Sequence, residues 1–522
     1  MLPVTRQFEA ALGIVVRLRN EGHEAYLAGG CVRDLLLGRE PKDYDVATSA
    51  PPDVVLGLFE RTFAVGAHFG VVLVADGDGD GYVVTEVATF RSDGAYSDGR
   101  HPDAVRYTTS AEEDVKRRDF TINGLMLEPS RLFPRGLKPS LLRNENVRAE
   151  ARTLQDKTHL PGQKQAAEKR SQIDEKPDEH SPGAEARDDL FGSLPGMNPR
   201  PTTREAVMDL VGGLADLDAG VVRAIGRADL RFEEDHLRML RGVRFAARFG
   251  FELEARTTAA IRALAARIDG VSHERVRDEL TKMLTEGRAR RAFELLDETG
   301  LLAEVLPEVA RMKGVEQPPQ FHPEGDVWVH TLGLLQQLEP GCSMTLAWGA
   351  LLHDVGKPPT FRRAPDRIRF DGHVDVGMAI TAEICRRFRF SNEETRQIVE
   401  LVENHMRFMD TGRMKASTLK RFFRLNGFEE HLVLHRMDCL AGSGYLEHWE
   451  FVRERWLAMP EETVRPRPLI TGRELIAAGY RPGARFKEML RAVEDAQLEG
   501  TIGTATEALR LVREKFGDAP SD

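Results

Sequence analysis

The run from Leu27 to Val46, LAGGCVRDLLLGREPKDYDV, constrains this chain more than any other stretch. A short apolar segment ends in Gly29 and Gly30, Arg33 and Asp34 follow, and Asp43 and Asp45 close the run one residue apart. The pattern predicts a short strand, a tight glycine turn and a helix from Val32 to Leu37. That order offers backbone N–H groups and a helix N-terminus to an anionic phosphate. If Asp43-Tyr44-Asp45 opens a strand, the period of two turns both carboxylates to one face, where they can share a divalent ion. Such a pair suits a two-ion site, in which one ion activates an attacking hydroxyl and the other steadies a leaving pyrophosphate. Taken singly, a Gly-Gly turn also serves as an ordinary bend, and a DxD as an exposed one.

At 522 residues the chain exceeds one core and is expected to divide into about three or four domains. Its net charge of -10 argues against indiscriminate nucleic-acid binding and leaves a local basic groove open. Cys31, Cys342, Cys385 and Cys439 are scattered and form no CxxC pair, so free thiols in a reducing compartment, the cytoplasm, are expected. The N-terminal stretch predicts a helix with Phe8, Leu12, Val15, Val16 and Leu18 on one face. Charges interrupt it, so it reads as neither a signal peptide nor a membrane span.

Two β-branched runs, Val71 to Val74 and Tyr82 to Ala88, predict a hairpin, with Glu86 either facing solvent or serving as a third acid beside Asp43 and Asp45. The loop from Ser92 to Arg106, rich in Gly, Asp and Ser, is expected to be mobile and to close over a substrate. Arg117 and Arg118 can fork onto phosphate oxygens, while Asp119 and Asn123 can bond a ribose or base; a solvated basic helix start is the alternative. Residues 129–206 are polar and dotted with proline, and read as a disordered insertion. Farther on, Leu237, Leu240, Val243 and Ala247 mark a helical stripe, and Arg238, Arg241 and Arg244 a basic ridge. From His322 onward, His330, His353-Asp354, His373, His405 and Asp438 form a set suited to divalent metals, with LAWGALLHDVGKP at its centre.

In this order LAGGCVRDLLLG with DYD, EVATFR, RRDFTINGL, DLVGGLADL, EDHLRMLRGVRFAARFGF and HERVRDEL resemble the tRNA nucleotidyltransferase and bacterial poly(A) polymerase family, the class II CCA-adding enzymes. Residues 322–445 resemble an HD phosphohydrolase domain. The resemblance implies an α/β head with the mixed nucleotidyltransferase sheet, followed by all-α neck, HD and tail regions. The expected boundaries are 1–128 and 207–226 for the head, 227–321 for the neck, 322–445 for the HD domain and 446–522 for the tail. It implies that Asp43 and Asp45 hold Mg2+ with Glu86 as third acid, and that Gly29, Gly30, Arg33, Arg117, Arg118, Asp119 and Asn123 handle the nucleotide, Asp119 at the ribose. Glu234, Asp235 and Arg238 match an EDxxR element in which Asp235 and Arg238 read the base of CTP or ATP; Arg241 and Arg244 then suit the triphosphate better than a solvated ridge. His330, His353, Asp354 and Asp438 match one metal-binding pattern, and His373 and His405 the ligands added in members with a second metal of unspecified identity.

The implied activity is addition of CMP and AMP to the tRNA 3' end, with tRNA, ATP and CTP as partners and no membrane. An Arg-rich run from Arg223 to Arg311 is expected to face the acceptor stem. An A-adding enzyme or poly(A) polymerase is the rival within the class. An HD phosphohydrolase with an RNA-binding head is the rival outside it.

Overall fold

A computed structural model describes residues 5–64, 70–77, 81–93, 105–129, 203–320 and 322–518. The expectations for the insertion and for the DGAYSDGR loop lie outside the described residues. These fall into two compact units, one drawn from 5–93, 105–118 and 122–214, the other from 119–121 and 215–518.

The first unit opens with helix α1 (Arg6–Asn20), where the Thr5 hydroxyl accepts from the Phe8 N–H and Arg17 and Arg19 sit in the last turn, at the negative end of the helix dipole. Its buried face holds Phe8, Leu12, Val15 and Leu18 as expected; Val16 is half-buried, and Ala11 and Ile14 complete the stripe. Strand β1 (Ala25–Ala28) leads into helix α2 (Gly30–Leu36), and β2 (Val46–Thr48) begins immediately after Asp45. Helix α3 (Pro52–Leu58), strand β3 (Thr62–Phe63) and the antiparallel hairpin of β4 (Val71–Asp76) and β5 (Val83–Thr89) follow. The hairpin matches the two predicted runs. A small pair, β6 (Arg91–Asp93) with β7 (Val105–Tyr107), precedes helix α4 (Ala111–Lys116).

With β8 (Met126–Leu127) and β9 (Val207–Met208), the main sheet has seven strands in the order β3-β4-β5-β2-β1-β8-β9. Only the central β2–β5 pairing is parallel, which makes the sheet mixed as expected. Tyr26, Ala28, Ala47, Phe90, Val115 and Met126 form a core cluster on it.

The second unit is mostly helical. Among the described residues the paired strands here, which depart from all-α, are two-residue ones: Val221–Val222 runs parallel to Glu252–Leu253 across the intervening helices, and Arg362–Arg363 pairs antiparallel with Ile368–Arg369 where the chain doubles back. Helix α5 (Ala228–Glu234) precedes α6 (Leu237–Phe249), whose stripe Leu237, Leu240, Val243 and Ala247 is buried throughout. Asp119–Thr121 joins this unit through a bridge from Phe120 to Ala224 and edge-on packing of Phe120 against Phe245. Beyond helix α7 (His273–Thr285) and further helices within 289–310, the His-Asp set is carried by α8 (Val327–Gln336), α9 (Met344–Leu352), α10 (His373–Arg387), α11 (Asn392–Asn404) and α12 (Phe428–Ala441). Helix α9 is apolar and buried over Leu346–Leu352, so the His353-Asp354 pair at its C-terminus rests on an anchored backbone. Farther on, Leu475, Tyr480, Met489, Val493 and Val512 form a separate cluster, tied to residues 416–424 by Arg421 and Arg424 on Glu494.

The tightest backbone approach in the second unit is at Gly356, two residues beyond Asp354. A Cβ there would lie 2.0 Å from the His373 carbonyl oxygen and 2.6 Å from the Gly377 amide nitrogen. Both obstacles are backbone, so the chain must move to admit a methyl group. Gly356→Ala is expected to cost about 3 kcal/mol, read as a lower denaturation midpoint; an unchanged midpoint would contradict this packing.

Candidate functional site

In the first unit the parallel register pairs Val46 with Val87 and Ala47 with Ala88, so Asp45 and Glu86, each one residue earlier, come side by side. Asp43 and Asp45 flank buried Tyr44 and are themselves exposed, but the strand begins only at Val46, so the pair lies in the segment leading into β2 and not in a strand opening at Asp43. Asp45 and Glu86, with Arg91, Arg117 and Arg118, line a cleft of about 270 Å³ floored by Ala28, Ala47 and Ala88. Asp45 keeps open surface at the cleft mouth, yet its carboxyl is pushed up to about 6, chiefly by desolvation and then by the neighbouring Glu86 and Asp43 charges; Arg118 pulls the other way. Glu86 is raised by the same desolvation and by Asp43. A carboxylate cluster that raises its own proton affinity fits a divalent cation, which would compensate all three charges at once.

The glycine turn forms, with Gly29 at φ +79, but the Gly29 N–H donates to the Leu125 carbonyl at 3.0 Å and is taken up by the sheet. Arg33 is buried and bonds Asp34 at 2.8 Å and also the Asn123 side chain. Both Arg33 and Asn123 thus brace the start of α2. Gly30 lies over Arg33, whose Nη2 is 3.5 Å from where a Cβ would stand.

In the second unit Asp119 is bonded by Arg241 at 2.7 Å and caps the Phe120 N–H. Glu234 accepts from Arg231 at 2.8 Å and from Arg238 at 2.5 Å, while Arg275 from α7 holds Asp235 at 2.7 Å. The EDxxR residues are therefore braced on both sides at the start of α6. The three arginines of α6 do not make one solvated ridge. A three-residue step lags the helical turn by about 60°, and by Arg244 the side chain has rotated into the interior, where it meets Glu279 at 2.6 Å. Arg244 is 6% exposed, unlike half-buried Arg238 and Arg241.

The His-Asp set converges within the second unit. His330, His353 and Asp438 group on one side, and Asp354, His373 and His405 on the other, so all six expected residues come together. Asp354 stands between: one oxygen lies 3.1 Å from His353 Nε2 and 4.0 Å from His330 Nε2, the other 3.8 Å from His405 Nε2 and 4.0 Å from His373 Nε2. Nδ1 of His353, His373 and His405 each donates to a backbone carbonyl, of Ala350, Phe370 and Val402. That fixes the tautomer and turns each Nε2 lone pair inward, and all three Nε2 atoms are buried without a hydrogen-bond partner. Burial opposes ionisation of Asp354, but His353 and Lys357 hold its carboxyl well below the usual range; burial also lowers His405 to about 4, keeping it neutral. Burial lowers His373 as well, whereas at His330 burial is outweighed by hydrogen bonds to Asp438 and Glu324, which raise it to about 9; imidazole nitrogens around a charged, shared carboxylate fit a pair of divalent ions. An adjoining cavity of about 500 Å³ adds Lys357, Arg367 and Arg369 beside Phe370, Met406 and Met409.

Residues 25–133 match the poly(A) polymerase head domain, 250–313 a family described as "probable RNA and SrmB-binding site of polymerase A", and 327–440 the HD domain. A CCA-adding enzyme of Lactobacillus helveticus is 27% identical over 503 residues, 96% of each chain. Over 96% of its length the chain is similar to a CCA-adding enzyme, and its three matched regions are a polymerase head, an RNA-binding region and an HD domain. A CCA-adding enzyme of Geobacillus thermodenitrificans is 35% identical over 294 residues, 56% of this chain and 54% of that enzyme, so the match spans about half the relative's length. The crystal structure of the Bacillus stearothermophilus CCA-adding enzyme in complex with CTP shares the fold, with a TM-score of 0.63 at 24% identity over 98% of both chains.

Several polar residues in the structure were not marked by sequence. Arg275 sits in HERVRDEL, where a charged helical face hides its partner. Lys357 lies three residues after Asp354 and 2.7 Å from it, a spacing that was legible in HDVGKP. Glu324 lies 2.6 Å from His330 Nδ1 and accepts from His322 at 2.9 Å, and no local pattern announces it.

The raised Asp45 carboxyl has a measurable sign. A carboxyl whose folded pKa exceeds its unfolded value adds stability while protonated, and that contribution is lost as pH rises through the folded value. In EDTA, the thermal midpoint of the protein is expected to fall relative to Asp45→Asn as pH rises from about 4 to about 6, and Mg2+ should restore it. Parallel pH curves for the two proteins would contradict the charge cluster.

Proposed function

We propose that the chain is a template-independent nucleotidyltransferase that adds CMP and AMP to the 3' end of tRNA, and that its HD domain is a metal-dependent phosphohydrolase. The observation that carries the first reading is the Asp45–Glu86 pair, set side by side by the parallel β2–β5 register, with Arg117 and Arg118 lining the same cleft. In this reading the head comprises 1–128 and 207–226, the neck 227–321, the HD domain 322–445 and the tail 446–522.

The tRNA 3'-hydroxyl attacks the α-phosphorus of the nucleoside triphosphate; a P–O bond forms, the bond from the α-phosphorus to the bridging oxygen breaks, and pyrophosphate leaves. Asp43, Asp45 and Glu86 would hold Mg2+, which when bound lowers the proton affinity of the attacking hydroxyl and offsets charge on the leaving group. Arg117 and Arg118 bind phosphate oxygens through forked N–H donors. Asp119 orients the ribose, and Asp235 and Arg238, braced by Arg275 and Glu234, pair with the base edge in place of a template. CTP and ATP are the nucleotides named with solved relatives, and the Thermotoga maritima CCA-adding enzyme is known complexed with tRNA, which supports the choice of substrates.

In the HD domain, His330, His353, Asp354, His373, His405 and Asp438 would hold two divalent ions, which when bound supply an activated water. Lys357, Arg367 and Arg369 receive the phosphate of a monoester or cyclic phosphate, and Phe370, Met406 and Met409 its apolar body. We place the protein in the cytoplasm; the four cysteines are free thiols, and among the described residues no helix is long and apolar enough to cross a membrane.

Three tRNAs, ending before CCA, after C and after CC, given CTP and ATP separately and together, test the transferase. Incorporation on all three, abolished in Asp43→Ala, is expected. No incorporation on any would overturn the reading, and use of ATP alone on the third would make it an A-adding enzyme.

A further inference from the structure

Asp114 is buried, 1% exposed, on the last turn of α4, and both of its oxygens are engaged by the two arginines of the cleft. Oδ1 accepts from Arg117 Nε at 2.9 Å and Nη2 at 2.6 Å; Oδ2 accepts from Arg118 Nη2 at 3.0 Å and Nε at 3.3 Å. One carboxylate thus clamps two adjacent guanidiniums edge-on. Adjacent cations repel and would otherwise splay, since each carries several rotatable bonds. The backbone adds to the clamp: the Asp114 carboxylate also accepts from the Arg91 N–H at 3.4 Å, tying α4 to the strand that leaves the cleft.

Gly29 completes the arrangement from the opposite side. A Cβ at this position would stand 3.0 Å from Arg118 Nη1, so the glycine makes room for the guanidinium lying across the turn. The turn first suggested an approach path for phosphate to the backbone, but its N–H is already bonded to Leu125. The anion-binding capacity of the turn is therefore supplied by Arg118, which the glycine admits and Asp114 aims.

We propose that Asp114 is a positioning residue for triphosphate recognition: it fixes Arg117 and Arg118 in one geometry, so that their outward N–H groups meet the phosphate chain of the incoming nucleotide without an ordering cost at binding. This rests on the reading of the cleft as a nucleotide site. A pre-set fork loses less freedom per hydrogen bond than a mobile one. The carboxylate touches neither substrate nor ion in this account and acts only through the arginines. Its effect should fall on the phosphates, not on the base or the ribose.

The test compares binding of ATP and AMP to the full chain in the presence of Mg2+, by calorimetry, without tRNA and thus without chemistry. Wild type is expected to prefer ATP. Asp114→Asn, which keeps the shape but loses the charge, is expected to weaken ATP by about tenfold or more and to leave AMP within a factor of about two. In steady state the same variant should raise KM for the nucleotide more than it lowers kcat. If Asp114→Asn does not fold, Asp114→Glu, which keeps the charge and displaces it, should compress the ATP-to-AMP ratio in the same direction. Equal loss for both nucleotides, or no loss for either, in a folded variant would overturn the proposal. Equal ATP and AMP affinity in wild type would instead overturn the nucleotide reading of the cleft.

Discussion

The parallel pairing of β2 with β5 is the constraint on which the head depends. Every other pairing in the main sheet is antiparallel, and this one sets Asp45 beside Glu86, with the Asp43 charge bearing on both. Shifting the register by one residue would send Glu86 to the opposite face and leave the DxD pair without its third acid. Buried Val46, Val72, Val74 and Val87 hold the register, since slipping would expose them. The apolar packing of the sheet thus works against the mutual repulsion of the carboxylates, and the arginines on the cleft wall reduce it further.

The HD site solves the related problem of burying ligands by a different route. Its imidazoles are fixed from behind by backbone carbonyls at the ends of helices, so their orientation follows from where α9 and α11 stop and α10 begins. The close approach at Gly356 draws the start of α10, and with it His373, against the His353-Asp354 turn. His330 differs, with carboxylates at both nitrogens, Asp438 at 2.9 Å and Glu324 at 2.6 Å.

Much of this was legible in the chain. The alternation of Asp43, Tyr44 and Asp45, the hairpin carrying Glu86, the buried stripe of α6 and the His-Asp set all follow from periodicity and residue type. The residues that escaped were the braces. Arg275 meets Asp235 forty residues away, a pairing that leaves no local pattern, whereas Asp114 lies three and four residues before Arg117 and Arg118 and Glu324 six before His330, spacings that residue type alone does not single out. Arg244 was misjudged for the converse reason: its spacing suggested a shared surface with Arg238 and Arg241, but the helical drift carried it inside to Glu279. The Gly29 turn was recognised, while its neighbour, a guanidinium from α4's far end, was set by the fold.

The central claim is that one chain carries two separate metal-dependent chemistries, a carboxylate cleft for nucleotide transfer and a histidine-lined site for phosphate hydrolysis. The most direct measurement follows both in parallel, with labelled nucleotide incorporation into tRNA and metal-dependent release of phosphate from a small phosphate ester, in Asp45→Ala and Asp354→Ala. The account predicts that Asp45→Ala abolishes incorporation and keeps hydrolysis, and that Asp354→Ala does the reverse. Loss of both activities in each folded variant, or hydrolysis unaffected by Asp354→Ala, would contradict it.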